Sequence, residues 1–479
     1  MKKTMTGAVG FLMAAVTCAV AADANAAFRA GAARGNITPE LGAPIIGGFH
    51  DFPSKHVHDD LWVRCLALDD GKTRVAFVVC DLLGIGRGVS EEARRLVQQE
   101  TGVPAGNILV SAIHNHSAAS GLGKYFSDQL ALDDYQKDVA RRIADTVRCA
   151  FNNLAPARIG WATASEPAHL FNRRRFMKPG TVPKTPCGGT NDLVQFNPGY
   201  CNPNIVKPAG PIDPEICFFA VQTPDGRPVA LFANYSLHYV GGVRGGDISA
   251  DYFAYFNDRI QELLGADRQD PPFVAMMSNG TSGDINNCDF SKPAEKHPPY
   301  EKMRIVANDV AQKACAAYKT IQWRDSVSLG VLFEEIPLRY RRPTPEQLDR
   351  AKNILAKIAP GKKPYTLEEI YAARTVSMSQ MPEGGNFPLQ AFRIGDFGLV
   401  SLPNEVFCEI GLELKRRSPF KPTCVVSLAH GYFGYLPTPE QHALGGYETW
   451  MGTCQFETGS SPKMVSRLLD MLTRLRSLQ

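Results

Sequence analysis

The chain has 479 residues, 44% hydrophobic and 21% charged, a balance that supports a large folded core and excludes a disordered or low-complexity protein. Its 52 basic and 48 acidic residues are interspersed and leave a formal net charge of +4, so no single-sign stretch marks a nucleic-acid partner. None of the 12 cysteines forms a C-x-x-C pair, which removes a thiolate zinc site from consideration.

At the N-terminus, Lys2 and Lys3 precede an apolar run from Ala8 to Ala22 that is too short to span a bilayer, and Ala24-Asn25-Ala26 supplies an A-x-A cleavage site. Residues 1–26 therefore read as a secretory signal peptide, and the mature chain, expected to begin near Ala27, is predicted to be exported to a periplasm or beyond. No later apolar stretch approaches the length of a spanning helix.

Runs rich in β-branched residues (RVAFVVCD, NILVSAIH, PVALFANYSLH, FVAMMSNG, GLVSLPNE, CVVSLAHGY) alternate with helical patterns (SEEARRLVQQETG, DDYQKDVARRIADTVRCAFNNL). This alternation predicts an α/β fold of layered mixed sheets, with residues 27–479 forming a single catalytic domain. The first helix is expected to start on Ser90 as its N-cap and to stop at Gly102. Residues 178–214 read as a long Pro/Gly-rich loop in which Cys187 and Cys201 are expected to pair as a disulfide, with unpaired thiols as the alternative. The pattern turns helical near 343–375, as an inserted helical pair, and again over residues 461–477, an amphipathic helix whose apolar stripe faces either the core, the preferred reading, or a membrane surface. The sequence shows no internal repeat.

Polar signals gather where the strands run out, the usual place for α/β sites. His114 and His116 sit two apart in SAIHNHSAASG, His238 closes ALFANYSLH, SNGTSGDINN forms a glycine-rich turn with Asp284, Glu405 follows a strand in LPNEVF, and Tyr432, Tyr435 and Tyr447 lie in AHGYFGYLPTPEQHALGGYE. Each has a plain structural reading as well: a core-satisfied histidine pair, an Asx turn, aromatic rings covering a core edge.

In this order the segments resemble the catalytic domain of neutral ceramidases, in which G-x-x-x-x-D-I-T is followed by T-H-T-H-S-G-P, N-R-S, a strand ending in His, a G-[DN]-x-S-P-N turn, P-G-E-F, and a Y-x-x-Y stretch leading to Q-Y-E-G. This chain reads GAARGNITPE, IHNHSAASG, NRRRF, LHYVGG, SGDINN, PNEVF and YFGYLPTPEQHALGGYET, with a twelve-residue step from Tyr435 to Tyr447. The resemblance implies a Zn2+ cofactor held by His114, His238, Glu405 and Tyr435. It also implies that His116, Arg173 and Tyr447 face the scissile group and that a zinc-activated water cleaves an N-acyl amide bond. Two imidazoles and a carboxylate with a weak phenol ligand would leave an open coordination position for that water. Asp284 is expected either to orient the water or to cap its turn.

Asn286 stands where the family places a serine, so no acyl-serine intermediate is expected. The chain also ends after the helix of 461–477 where the family continues into an immunoglobulin-like domain. Both departures widen the expected substrate from ceramide to small-molecule or lipid amides in general. The competing readings are an ester or amide hydrolase acting on a non-sphingolipid substrate, a barrel-type amidohydrolase in which both histidines of H-x-H bind metal, and a non-catalytic lipid or glycan binder that keeps the metal.

Overall fold

The computed structural model describes residues 27–119, 121–122 and 131–477; the predicted leader lies outside the described residues. The apolar runs assemble into three sheets built to one plan. In the first, β1 (Arg29–Asn36), β2 (Trp62–Asp69) and β3 (Arg74–Cys80) are antiparallel, α1 (Arg87–Thr101) crosses over, and β4 (Ile108–Ala112) returns parallel to β3. Helix α2 (Asp134–Asn152) packs against β1 and β2, and Ala155–Pro156 extends the sheet beside β1.

The second sheet repeats the sequence of events with β5 (Arg158–Ser165), β6 (Glu215–Gln222), β7 (Pro228–Tyr235), the crossover α3 (Asp251–Leu263) and β8 (Val274–Asn279) parallel to β7, and α4 (Glu301–Tyr318) packs on α3 and β5. The third begins with β9 (Leu329–Arg339), continues through α5 (Pro345–Leu355) and α6 (Leu367–Gln380) to β10 (Gly384–Ile394) and β11 (Phe397–Ser401), and closes through α7 (Cys408–Arg417) with β12 (Thr423–Val426) parallel to β11. After it come α8 (Pro439–Ala443) and α9 (Ser460–Ser477).

The three sheets meet on a shared aromatic core. Phe77 of β3 lies 5.2 Å from Phe219 of β6, 5.7 Å from Phe232 of β7 and 4.9 Å from Phe392 of β10, ring to ring, all four fully buried. The ends of the three parallel strands are tied in a closed ring: Ala112 donates its N–H to Leu428, Ser427 donates its N–H to Asn279, and the Asn279 side-chain amide donates to the Ile113 carbonyl.

Helix α1 starts at Arg87 with Gly86 at its N-cap, so Ser90 lies inside the helix and fully buried rather than capping it, whereas Gly102 ends it in the left-handed region at φ 70° as expected. The segment 178–214 carries strands as well as loop: Arg174–Met177 pairs with Val194–Phe196 and with Ile205–Pro208. That pairing takes Cys187 and Cys201 to different neighbours, and both are free thiols. Helices α5 and α6 each open on a capping box, at Thr344 and Thr366, and α6 runs past the predicted boundary to Gln380. The apolar stripe of α9, including Met464, Leu468 and Leu472, is buried in the core of the third sheet. Among the described residues no helix is long and apolar enough to cross a membrane. The sheets are mixed and separate, which excludes the eight-stranded parallel barrel.

Candidate metal centre and cavity

His114 follows β4 with φ at 66°, in the left-handed region that non-glycine residues seldom occupy. Its Nδ1 lies 2.8 Å from the Leu83 carbonyl, and Nδ1 of His238 lies 3.0 Å from the Ser282 carbonyl. A carbonyl only accepts, so each Nδ1 carries the proton and each Nε2 presents a lone pair. The two lone pairs face one carboxylate oxygen: Oε2 of Glu405 is 3.2 Å from His114 Nε2 and 3.7 Å from His238 Nε2. Ligands about 2.0–2.1 Å from a tetrahedral zinc stand about 3.3 Å apart, so this spacing fits an ion at their centre. His238 Nε2 and Glu405 Oε2 are buried without a hydrogen-bond partner, the state in which ligand atoms await a metal.

The other predicted residues surround this point. Nε2 of His116 is 3.1 Å from Nε2 of His114, and the ring nitrogens of His114, His116 and His238 lie within 4.8 Å of one another. The ring of His116 stacks on Tyr239 at 4.0 Å. Tyr435 is paired in parallel register with Glu405, which puts both side chains on one face, and its hydroxyl accepts from Arg173 Nη2 at 2.9 Å. Tyr447 stands 5.7 Å from Tyr435, ring to ring. Asp284 alone is turned elsewhere: its oxygens accept from the Cys408 N–H that opens α7 and from Asn172, so it caps and braces rather than facing the histidines. Asn286 is likewise consumed, donating to Asn197 and accepting from the Cys288 N–H.

Burial holds the His116 and His238 imidazoles well below the ordinary histidine range, helped by neighbouring His114, so both stay neutral, the state in which His238 can offer a lone pair to a metal. For Glu405 burial works upward but is outweighed by His114, His238 and the Tyr432 hydroxyl, which donates to Oε1 at 2.6 Å; the carboxyl falls well below its usual range and remains ionised. Burial pushes Tyr447 up to about 12 against the opposing charge of Arg374, so at neutral pH it holds a proton to give.

These groups open into a cavity of about 720 Å³ whose wall includes Phe49, Phe196, Arg374 and Met378. Two contributors were not singled out in the sequence: Glu448, which takes one guanidinium bond each from Arg173 and Arg174, and Arg374 of α6; Tyr432, named there as a loop aromatic, fixes Glu405. Tyr432 was visible within the Y-x-x-Y pattern. Glu448 carried no local signal, because its partners stand 275 and 274 residues away.

No protein-family model matches the chain. A neutral ceramidase of Pseudomonas aeruginosa is 21% identical over an alignment of 517 positions that spans 94% of this chain and 72% of that protein. A crystal structure of neutral ceramidase from Pseudomonas aeruginosa superposes with a TM-score of 0.66 at 18% identity, covering 94% of this chain and 74% of that one. A ceramidase complexed with C2 gives a TM-score of 0.66 at 17% identity, with 94% and 75% covered. The ordered motifs, the relative in sequence and the shared fold agree: the chain has the fold of neutral ceramidases and resembles them in sequence along most of its length.

Proposed function

We propose that the chain is an exported, zinc-dependent hydrolase of linear N-acyl amide bonds. The observation that carries the reading is the convergence of His114 Nε2, His238 Nε2 and Glu405 Oε2, two of these atoms buried and unpartnered, at a cavity large enough for a small amide or one end of a lipid. When bound, zinc supplies a Lewis acid for the amide carbonyl and lowers the pKa of a coordinated water to about 7.

The chain's own residues do the rest. Arg173, held by Glu448 and by Tyr435, presents a fixed positive charge where the carbonyl oxygen becomes anionic, and its Nη1 has no acceptor among the described residues. His116, packed between His114 and Tyr239, sits beside the same oxygen. Tyr447 gives its proton to the departing amine. With Asn286 in the serine position and its side chain tied on both sides, the nucleophile is water and no acyl-enzyme forms.

The test is metal content together with turnover. The purified protein is expected to carry one zinc, to release fatty acid from a panel of N-acyl amides that includes ceramide, and to lose that activity to a chelator. His238→Ala is expected to lose the metal, and unchanged zinc in that variant would remove the proposed ligand set. Zinc bound without turnover of any amide or ester would point instead to a lipid or glycan binder that keeps the site. Export predicts a mature N-terminus near Ala27 when the full chain is expressed with an intact secretion pathway.

A further inference from the structure

Among the described residues, two arginines and a single carboxylate stand on the cavity wall, Arg173, Arg374 and Glu405. Arg173 is paired with Glu448, which it shares with Arg174, and Glu405 is committed to His114 and His238. Arg374 has no carboxylate partner among the described residues. Its Nη1 donates to the Tyr371 hydroxyl and to Thr453 Oγ1, each at 3.3 Å, and no acceptor among the described residues meets Nε or Nη2.

The side chain is nonetheless fixed in place. Its stem passes over Gly452, where a Cβ would come within 2.7 Å of the Arg374 Cβ, and its guanidinium lies 5.0 Å from the Tyr371 ring and 5.6 Å from the Phe49 ring. Phe49 in turn lies 6.2 Å from Tyr447, ring to ring, so the cation stands one aromatic ring beyond the residue that faces the leaving group. A positioned, uncompensated guanidinium in a partly closed cavity attracts anions and offers a planar fork to an oxyanion.

We infer that the amide this protein hydrolyses carries an anionic group, carboxylate or phosphate, which Arg374 binds at a distance from the scissile bond. The inference rests on the hydrolase reading above and narrows its substrate class away from neutral lipids. The apolar wall made by Phe49, Phe196 and Met378 accepts the remainder of the molecule.

Three substrates with the same acyl chain test this: N-dodecanoylglycine, N-dodecanoylethanolamine and its O-phosphate. Wild type is expected to show a kcat/KM at least about tenfold higher on one or both anionic amides than on the neutral alcohol, and which of the two is preferred identifies the anion. In Arg374→Gln the ratio of anionic to neutral kcat/KM is expected to fall by about ten- to a hundredfold, with Arg374→Lys between the two. A neutral amide handled as well as the anionic ones, or a ratio unchanged in Arg374→Gln, would overturn the subsite while leaving the hydrolase reading intact.

If none of the three is turned over, the hydrolase reading fails, and calorimetric binding of the same compounds to the zinc-loaded protein decides the subsite separately. Anion-selective binding lost in Arg374→Gln supports it; equal binding of all three, or no binding, overturns it.

Discussion

His114 and His430 occupy equivalent places, three residues after Ser111 and Ser427 at the ends of the fourth strands of the first and third sheets, and both adopt a left-handed φ, 66° and 64°. That conformation costs roughly 1–2 kcal/mol and persists because the surrounding bonds over-determine it. What separates a candidate ligand from a core histidine is the fate of the second nitrogen. His430 contacts Ser90 with Nδ1 and Gln390 with Nε2, whereas the Nε2 of His114 turns toward His116 and Glu405. At the same scale, Glu448 is a fully buried carboxylate shared by two buried guanidinium groups. Glu448→Gln leaves both cations uncompensated and is expected to lower stability by about 3–5 kcal/mol in urea melts. Arg173 would lose its anchor, so amide turnover should fall as well. A stability change below about 1 kcal/mol would show that Gln441 and the nearby carbonyls suffice to hold Arg174.

At the scale of elements, the ends of strands place the candidate ligands and the turns after them set the spacing. Gly283 is required because a Cβ there would lie 2.6 Å from the Glu405 carbonyl oxygen, so the turn after β8 can support Glu405 only without a side chain. Helix α3, which follows the His238 loop, is fastened at its start by Asp59, whose Oδ1 accepts the Ala250 N–H at 2.6 Å while Oδ2 is buried without a partner. Burial pushes this carboxyl up to about 7, against bonds from Ser249 and Ala250 that favour its charged form. The folded protein therefore keeps a proton that the unfolded chain releases above about pH 4. The stabilisation is complete below the unfolded value and is lost as pH rises through about 7. Measured against Asp59→Asn, wild-type stability is expected to decline by about 1.4 kcal/mol per pH unit over much of that interval, read from denaturant melts at each pH. A difference that stays flat from pH 4 to 7 would mean that Asp59 is ionised in both states.

At the scale of the whole molecule, one topological unit, three antiparallel strands followed by a crossover helix and a parallel fourth strand, occurs three times. The link between the first two strands is long each time, and all three links reach the cavity: Phe49 from the first, Arg173 and Phe196 from the second, Arg374 and Met378 from the third. The third link is the one that contains α5 and α6, so the helical pair is part of the cavity wall. Helix α9 clamps the outside of the third sheet. Leu468→Ala in its buried stripe is expected to cost about 2–5 kcal/mol by thermal or urea unfolding while leaving bound metal unchanged, since Leu468 lies in the packed core and off the cavity wall. Loss of metal in that variant would show that the helix also sets the position of Glu405.

The sequence by itself determined the strands and most helices, because apolar periodicity and cap residues act over a few positions, and its ordered histidine, glutamate and tyrosine segments carried the resemblance that pointed to the candidate site. His114, His238, Glu405 and Tyr435 were named from it and do come together. Only the tertiary structure decided the rest. The repeat is topological, since the three units share hydrogen-bonding geometry while the residues that carry it have diverged, and the sequence showed none. Ser90 looked like a cap and is buried against His430, and Cys187 and Cys201 looked like partners and are separated by strand pairing. Glu448 and Arg374 take their meaning from groups brought near by folding, a charge found or a charge left without a partner, and that is a property of distance in space that no spacing along the chain records.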